Sequence, residues 1–184
     1  EELKDCEVIV ITAGIPRKPG MSRDDLLLTN AKIMQAVLED IKKYAPNSKI
    51  IIVSNPLDAM VYAALKILKF PREHVIGMAG ILDSARMSHF ICEKLGYGAG
   101  QIESSVMGGH GDAMVPLVNY STVAGVSLPE LLSKEDIEDI VSKTKNGGLQ
   151  IVKLLETGSA YYAPAHATSL MVEAILYNNK KIYP

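Results

Sequence analysis

Three runs of β-branched and aliphatic residues punctuate the first half of the chain: Glu7 to Ala13 (EVIVITA), Lys49 to Ser54 (KIIIVS) and His74 to Gly77 (HVIG). The first two do not alternate apolar with polar positions, which suits strands buried on both faces, as in a parallel sheet. Helical patterns separate them. Leu26, Ile33, Val37 and Ile41 recur close to helical spacing, after Asp24 and Asp25, which favour a helix start, and before Pro46, which stops it. Leu57 to Leu68 forms a second helical stretch with Lys66 and Lys69 near its end. Strand, helix, strand, helix, strand predicts part of a doubly wound α/β sheet, whose ligands bind beyond the carboxyl ends of the strands. Those ends are Thr12-Ala13-Gly14, Ser54-Asn55 and Gly77-Met78-Ala79.

The pattern changes near residue 80. A third helix is expected from Asp83 to Leu95, with Gly96 as its C-cap. Strands are expected over Gln101 to Met107 and Met114 to Tyr120. A short helix opens at Ser127-Leu128-Pro129-Glu130. Ser133-Lys134-Glu135-Asp136 reads as a helix cap followed by first-turn acids, and Asn146-Gly147-Gly148 is expected to kink or break that helix. Gly158 to Pro164 interrupts again before a last helix, Ala165 to Tyr177. The division predicted is residues 1–80 as one lobe of the sheet and 81–184 as a mixed α+β lobe. No internal repeat or low-complexity segment occurs.

The 184 residues suffice for one good-sized core or two small lobes. Hydrophobic residues make up 48% and charged residues 22%, with a net charge of −2 and no basic patch, so nucleic acid is not the expected partner. No apolar run approaches the ~18 residues of a membrane span. Cys6 and Cys92 lie far apart without a CxxC spacing, which favours reduced thiols in a cytoplasmic protein. The chain enters a buried-type strand within a few residues and finishes directly after an apolar helix. The expectation is an internal part of a larger protein, truncated at both ends.

Candidate chemistry centres on Met107-Gly108-Gly109-His110-Gly111-Asp112. A histidine exchanges protons near neutral pH, and the glycines around it allow close approach. Arg17 and Arg23 share the Pro/Gly loop after the first strand. Arg86 lies one turn beyond Asp83 at the start of the third helix, where a cation opposes the helix dipole. A bound anion is one reason for it, since a guanidinium grips a carboxylate through two parallel hydrogen bonds. Asp83 either pairs with Arg86 or orients a histidine. Asn55 either donates to a ligand oxygen or caps a helix with Pro56 at its first position. His110, Asp83 and Asp112 lack metal-ligand spacing, so no metal is expected.

These motifs carry a resemblance. Thr12 to Arg23 (TAGIPRKPGMSR), Val53 to Asp58 (VSNPLD), Leu82 to Arg86 (LDSAR) and Met107 to Asp112 (MGGHGD) resemble the lactate/malate dehydrogenase family, in family order and across the whole chain. They are most similar to its lactate-dehydrogenase-like bacterial malate dehydrogenases. The resemblance implies the second part of a Rossmann-type NAD-binding domain, residues 1–80, followed by a substrate domain, residues 81–184. It implies NAD-dependent, reversible oxidation of (S)-malate to oxaloacetate, a reaction of the tricarboxylic acid cycle. His110 and Asp83 fall where the family has its proton relay. Arg86 falls at the clamp on the carboxylate beside the reacting carbon. Arg23 falls where a closing loop polarises the carbonyl. Arg17 occupies the position that selects a dicarboxylic acid, where lactate enzymes carry glutamine. Asn55 falls at a contact to both substrate and cofactor. Thr12, Ala13, Gly14, Asn30 and Val53 fall where the family contacts NAD. The family's Asn-Pro bond is often cis, which weighs against a capping role for Asn55. A homodimer or homotetramer is implied.

One departure qualifies the expectation. The glycine-rich turn and acidic residue that hold the adenosine half of a dinucleotide are not in these 184 residues. NAD against NADP is therefore left open. The rival readings are a dehydrogenase for lactate or another 2-hydroxy acid, a non-catalytic fragment lacking the dinucleotide site, and a metal-dependent hydrolase using His110 and Asp112.

Overall fold

The apolar runs line up side by side. In a computed structural model, which describes residues 2–16, 21–156 and 158–184, strands β1 (Val8–Ile11), β2 (Lys49–Ile52) and β3 (Val75–Gly77) form a parallel sheet in that order. Val8 pairs with Lys49, and Ile50 with Val75. Helix α1 (Arg23–Tyr44) joins β1 to β2, and α2 (Leu57–Leu68) joins β2 to β3. Ile50, Ile51 and Ile52 are wholly buried, as their unalternating pattern requires. β1 departs from the same expectation. It has β2 as its neighbour on one side, and Val10 is 37% exposed.

Helix α1 starts through a capping box: Ser22 Oγ accepts from the Asp25 backbone N–H while the Asp25 carboxylate accepts from Ser22 N. The Ser22 hydroxyl also donates to the Asp25 carboxylate at 2.6 Å, and this bond, with the one from Ser22 N, holds the carboxyl below its ordinary range. The buried stripe of α1 is Asn30, Met34, Leu38, Ile41 and Ala45. It is displaced by one residue from the expected Ile33 and Val37, because the apolar face is two residues wide there and the helix buries its centre. One polar residue, Asn30, stands in that stripe.

Two compact units result, Glu1–Met78 with Pro164–Lys181, and Ala79–Ala163 with Ile182–Pro184. In the second, α3 (Gly80–Leu95) is packed against α5 (Lys134–Leu155), with the short α4 (Leu128–Leu131) before it. Gly96 ends α3 in the left-handed conformation, φ 73°. Two small antiparallel sheets complete the unit: β4 (Ile102–Glu103), β7 (Thr122–Val123) and β8 (Val126–Ser127) in one, and β5 (Val106–Gly108) with β6 (Met114–Pro116) in the other. Met87, Ile91, Ile102, Val106, Met114, Val123, Leu128 and Ile140 form its core.

Several expectations fail here for identifiable reasons. The strand expected over Gln101 to Met107 is split at Ser104, where the chain passes from one small sheet to the other: β4 pairs with β7 and β5 with β6. The strand expected to reach Tyr120 stops at Pro116 and gives way to a single 3-10 turn, Val118–Tyr120. Helix α5 runs through Asn146-Gly147-Gly148 without a break, because Arg86 of α3 packs on those glycines. The last helix, α6 (Tyr162–Leu176), begins before Pro164 rather than after it. A proline in the first turn lacks an N–H that the helix would not have used.

Candidate active site

His110 sits in the five-residue loop joining β5 to β6. The hairpin is tight. Gly108 has φ 85°, and a Cβ there would lie 2.5 Å from the Ala113 carbonyl oxygen, so only glycine lets the two arms close. Ser84 of α3 fastens β5 to the helix. Its Oγ accepts from the Val106 backbone N–H at 2.9 Å, and Ser104 Oγ lies 2.9 Å from Ser88 Oγ. This stitching brings the residue before Ser84 against the loop. Asp83 Oδ2 lies 2.9 Å from His110 Nδ1.

Asp83 is 2% exposed, and its second oxygen accepts from Arg86 Nη1 at 3.1 Å. One buried carboxylate thus faces two cationic or proton-bearing groups. It lies in the first turn of α3, where the helix dipole favours an anion. By accepting at Nδ1 it assigns the imidazole proton to that nitrogen and leaves the proton-exchanging role to Nε2. The His110 side chain is 23% exposed, so the ring remains open to solvent. Arg86 Nε is buried and finds no hydrogen-bond partner among the described residues. A guanidinium with one edge tied to Asp83 and an unused donor is suited to taking an oxyanion.

The first unit gathers a second set at the carboxyl ends of β1 and β2. Thr12 and Gly14 are exposed. A Cβ at Gly14, φ 151°, would meet the Asn30 carboxamide at 3.2 Å. Asn30 is 1% exposed and wholly engaged: Oδ1 accepts from Ile15 N at 2.8 Å, and Nδ2 donates to the carbonyls of Asn55 at 2.7 Å and Ile15 at 3.2 Å. It ties the loop after β1 to the loop after β2 and shapes the site from behind. Val53 continues the ladder, its N–H donating to Ile11 O. Ser54, marked in the sequence only as a strand end, donates from Oγ to the Ala13 carbonyl at 2.6 Å and anchors the Thr12-Ala13-Gly14 turn. Asn55 is exposed, and its bond to Pro56 is cis. The capping reading of Asn55 is overturned: Pro56 occupies the N-cap position of α2, with no side-chain cap.

Arg17 lies outside the described residues, and Arg23 is the first residue of α1. Asp112 is exposed, and among the described residues no group of three or more His, Cys, Asp and Glu gathers as a metal site. Cys6 and Cys92 are free and half-buried. Among the described residues no helix is long and apolar enough to cross a membrane.

A three-stranded parallel sheet with crossover helices followed by a mixed lobe, with histidine, aspartate and arginine clustered in the latter, defines a Rossmann-type α/β architecture with a second α+β lobe. Residues 1–77 match the lactate/malate dehydrogenase NAD-binding domain, and residues 81–184 match the lactate/malate dehydrogenase alpha/beta C-terminal domain. The chain belongs to the lactate/malate dehydrogenase family. It is 66% identical over 183 residues to a malate dehydrogenase of Aliarcobacter butzleri, and 64% identical to one of Sulfurimonas denitrificans. These alignments take in 100% of this chain but 58% and 57% of those relatives, so it spans little more than half their length. Among solved structures it is similar to the apo malate dehydrogenase from Picrophilus torridus, with a TM-score of 0.96 and 49% identity over 100% of this chain and 57% of that one. It is also similar to the lactate dehydrogenase from Cryptosporidium parvum complexed with lactic acid and nicotinamide adenine dinucleotide, with a TM-score of 0.94 and 40% identity over 100% of this chain and 59% of that one.

Proposed function

We propose that the protein to which this chain belongs is an NAD-dependent malate dehydrogenase that interconverts (S)-malate and oxaloacetate. The observation that carries the reading is the Asp83 carboxylate, shared between His110 Nδ1 at 2.9 Å and Arg86 Nη1 at 3.1 Å. It joins a proton relay to an anion clamp. Two relatives above 60% identity named malate dehydrogenase support malate over lactate, as does arginine at position 17.

The residues present fit the nicotinamide cofactor. The exposed Thr12 and Gly14 and the exposed Asn55 lie at strand carboxyl ends, where dinucleotides bind. Thr12, Ala13, Gly14, Val53 and Asn55 would hold it, with Asn30 keeping their loops in shape. When bound, NAD supplies the hydride acceptor. In the oxidation direction His110 takes the malate hydroxyl proton at Nε2, and Asp83 stabilises the imidazolium that forms. Arg86 holds the carboxylate beside the reacting carbon, and Arg17 holds the distal one. Arg23 polarises the carbonyl oxygen in the reverse direction. Residues 1–80 serve as the NAD-binding domain and 81–184 as the substrate domain. A homodimer or homotetramer in the cytoplasm, acting in the tricarboxylic acid cycle, completes the proposal; the free Cys6 and Cys92 suit a reducing compartment.

The test uses the full-length protein with NADH and either oxaloacetate or pyruvate. Oxaloacetate should be strongly preferred, and His110→Asn should abolish most turnover while NADH still binds. Arg17→Gln should move the ratio of kcat/KM values towards pyruvate by at least about tenfold, since glutamine lacks the charge that pairs with a second substrate carboxylate. Full activity in His110→Asn rules out the relay, and an unmoved ratio in Arg17→Gln rules out the dicarboxylate assignment.

A further inference from the structure

Two adjacent glycines in the middle of a helix call for an explanation, because glycine is the poorest helix former after proline. Helix α5 nonetheless continues through Gly147 and Gly148. Both face Arg86 on α3, but they meet different parts of it. A Cβ at Gly147 would lie 3.4 Å from Arg86 Cδ and 3.6 Å from Phe90 Cε2, which is ordinary contact with the aliphatic stem and a ring edge. A Cβ at Gly148 would lie 3.3 Å from Nη2 and 3.6 Å from both Cζ and Nη1. Near-equal distances to three atoms of a planar group mean that the guanidinium presents its face to Gly148.

We infer that Gly148 is a positioning residue for the substrate carboxylate: its missing side chain provides the flat seat on which the Arg86 guanidinium is held. The inference rests on the reading of Arg86 as the carboxylate clamp. The guanidinium has little freedom to retreat from a methyl group at 148. Nη1 is tied to Asp83 Oδ1 at 3.1 Å, and Nε is buried. It would have to give by a few tenths of an ångström, stretching the Asp83 bond or turning its fork away from the substrate. A fork that binds a carboxylate through two parallel hydrogen bonds is sensitive to such a shift. Gly147 lies outside this seat, since a methyl there fits against the stem.

The experiment places Gly148→Ala, Gly148→Leu and Gly147→Ala in the full-length protein, each also combined with Arg86→Lys. Oxaloacetate KM, kcat and Tm are measured. Gly148→Ala should raise KM about three- to tenfold and Gly148→Leu further, with kcat changed less than about threefold, because the lost contact serves ground and transition states alike. Tm should not fall in Gly148→Ala, since alanine favours the helix. A purely structural role would instead lower Tm. Gly147→Ala should keep KM within about twofold, and in the Arg86→Lys background the Gly148→Ala increment should shrink below about twofold. Should Gly148→Leu fail to fold, Gly148→Ala decides alone. A KM within twofold of wild type in Gly148→Ala, an equal rise in Gly147→Ala, or a full increment in the Arg86→Lys background overturns the inference. Absence of oxaloacetate turnover by the unmodified protein removes the clamp reading and the inference with it. Turnover that ignores position 148 removes the inference alone.

Discussion

Replacing Asp83 by asparagine changes almost no volume and tests the site at its centre. The carboxylate accepts from two neighbours, Arg86 Nη1 at 3.1 Å and His110 Nδ1 at 2.9 Å. A carboxamide has one accepting oxygen and one donating nitrogen. Arg86 is permanently charged and can only donate, so the carboxamide oxygen of the variant turns to it. The amide N–H then faces His110 Nδ1, which must become the acceptor, and the ring proton moves to Nε2. In that tautomer Nε2 has no lone pair to take the malate proton. In the reverse direction the imidazolium would set Nδ1–H against an amide N–H. Both directions fail through one mismatched hydrogen bond.

The analogous loss of a histidine's orienting aspartate elsewhere costs about ten-thousandfold in kcat. His110 is 23% exposed here, and water softens the mismatch. A fall of roughly a hundred- to ten-thousandfold, or about 3–5 kcal/mol in activation free energy, is therefore expected for Asp83→Asn. The assay is NADH oxidation by oxaloacetate in the full-length protein, with NADH binding followed in parallel. Binding should persist. Because Asp83 and His110 act as a unit, the double variant Asp83→Asn with His110→Asn should be little worse than His110→Asn alone. A kcat for Asp83→Asn within tenfold of wild type, or losses that multiply in the double variant, would refute the tautomer argument.

Two further outcomes follow from buried or paired groups. Ser84→Ala removes the acceptor of a buried Val106 N–H and should destabilise the protein by about 1–3 kcal/mol in urea denaturation; a change below about 0.5 kcal/mol would mean that another acceptor replaces it. Acid stability should depend on Asp25 and Asp136, whose carboxyls are held below the ordinary carboxylate range by hydrogen bonds from Ser22 and from Lys94 respectively. Lowered folded values contribute stability that is complete above the unfolded value and lost as the pH falls through the folded one. Lys94→Met should therefore lower Tm at neutral pH more than at acid pH, where Asp136 is protonated, and so flatten the acid limb; an equal loss of Tm at both pH values would show that the Lys94 pair contributes nothing to the limb.

Much of this fold was legible because its signals are local. The isoleucine run of β2, the helix Leu57–Leu68 and the Gly96 cap each depend on residues within a turn or two. The histidine loop was legible for the same reason, with glycines marking the turn between two apolar runs. Misreadings arose where distant residues decide. Gly147 and Gly148 look like a helix break until Arg86 is placed against them, and Ser104 looks like part of one strand although its two sides pair in different sheets. Asn55 before Pro56 looks like a cap, whereas α2 takes Pro56 as its N-cap residue.

The roles of Asn30, Ser54 and Ser84 were the least legible, and they share one device. Each is a buried polar side chain bonded to backbone groups of a loop or strand next to candidate site residues. Asn30 and Ser54 hold the loops after β1 and β2, and Ser84 holds β5 against the helix that carries Asp83 and Arg86. A buried backbone group without a partner costs more than a mismatched surface contact, so these side chains fix loop geometry more firmly than apolar packing alone. The sequence does carry a trace of the device: Asn30 interrupts the apolar stripe of α1 one turn before Met34, and Ser84 lies between the buried Leu82 and Met87 of α3. A polar residue on a face that is otherwise core therefore points here to a site nearby, whether as a strut behind it, as with Ser84, or as a member of it, as with Asp83.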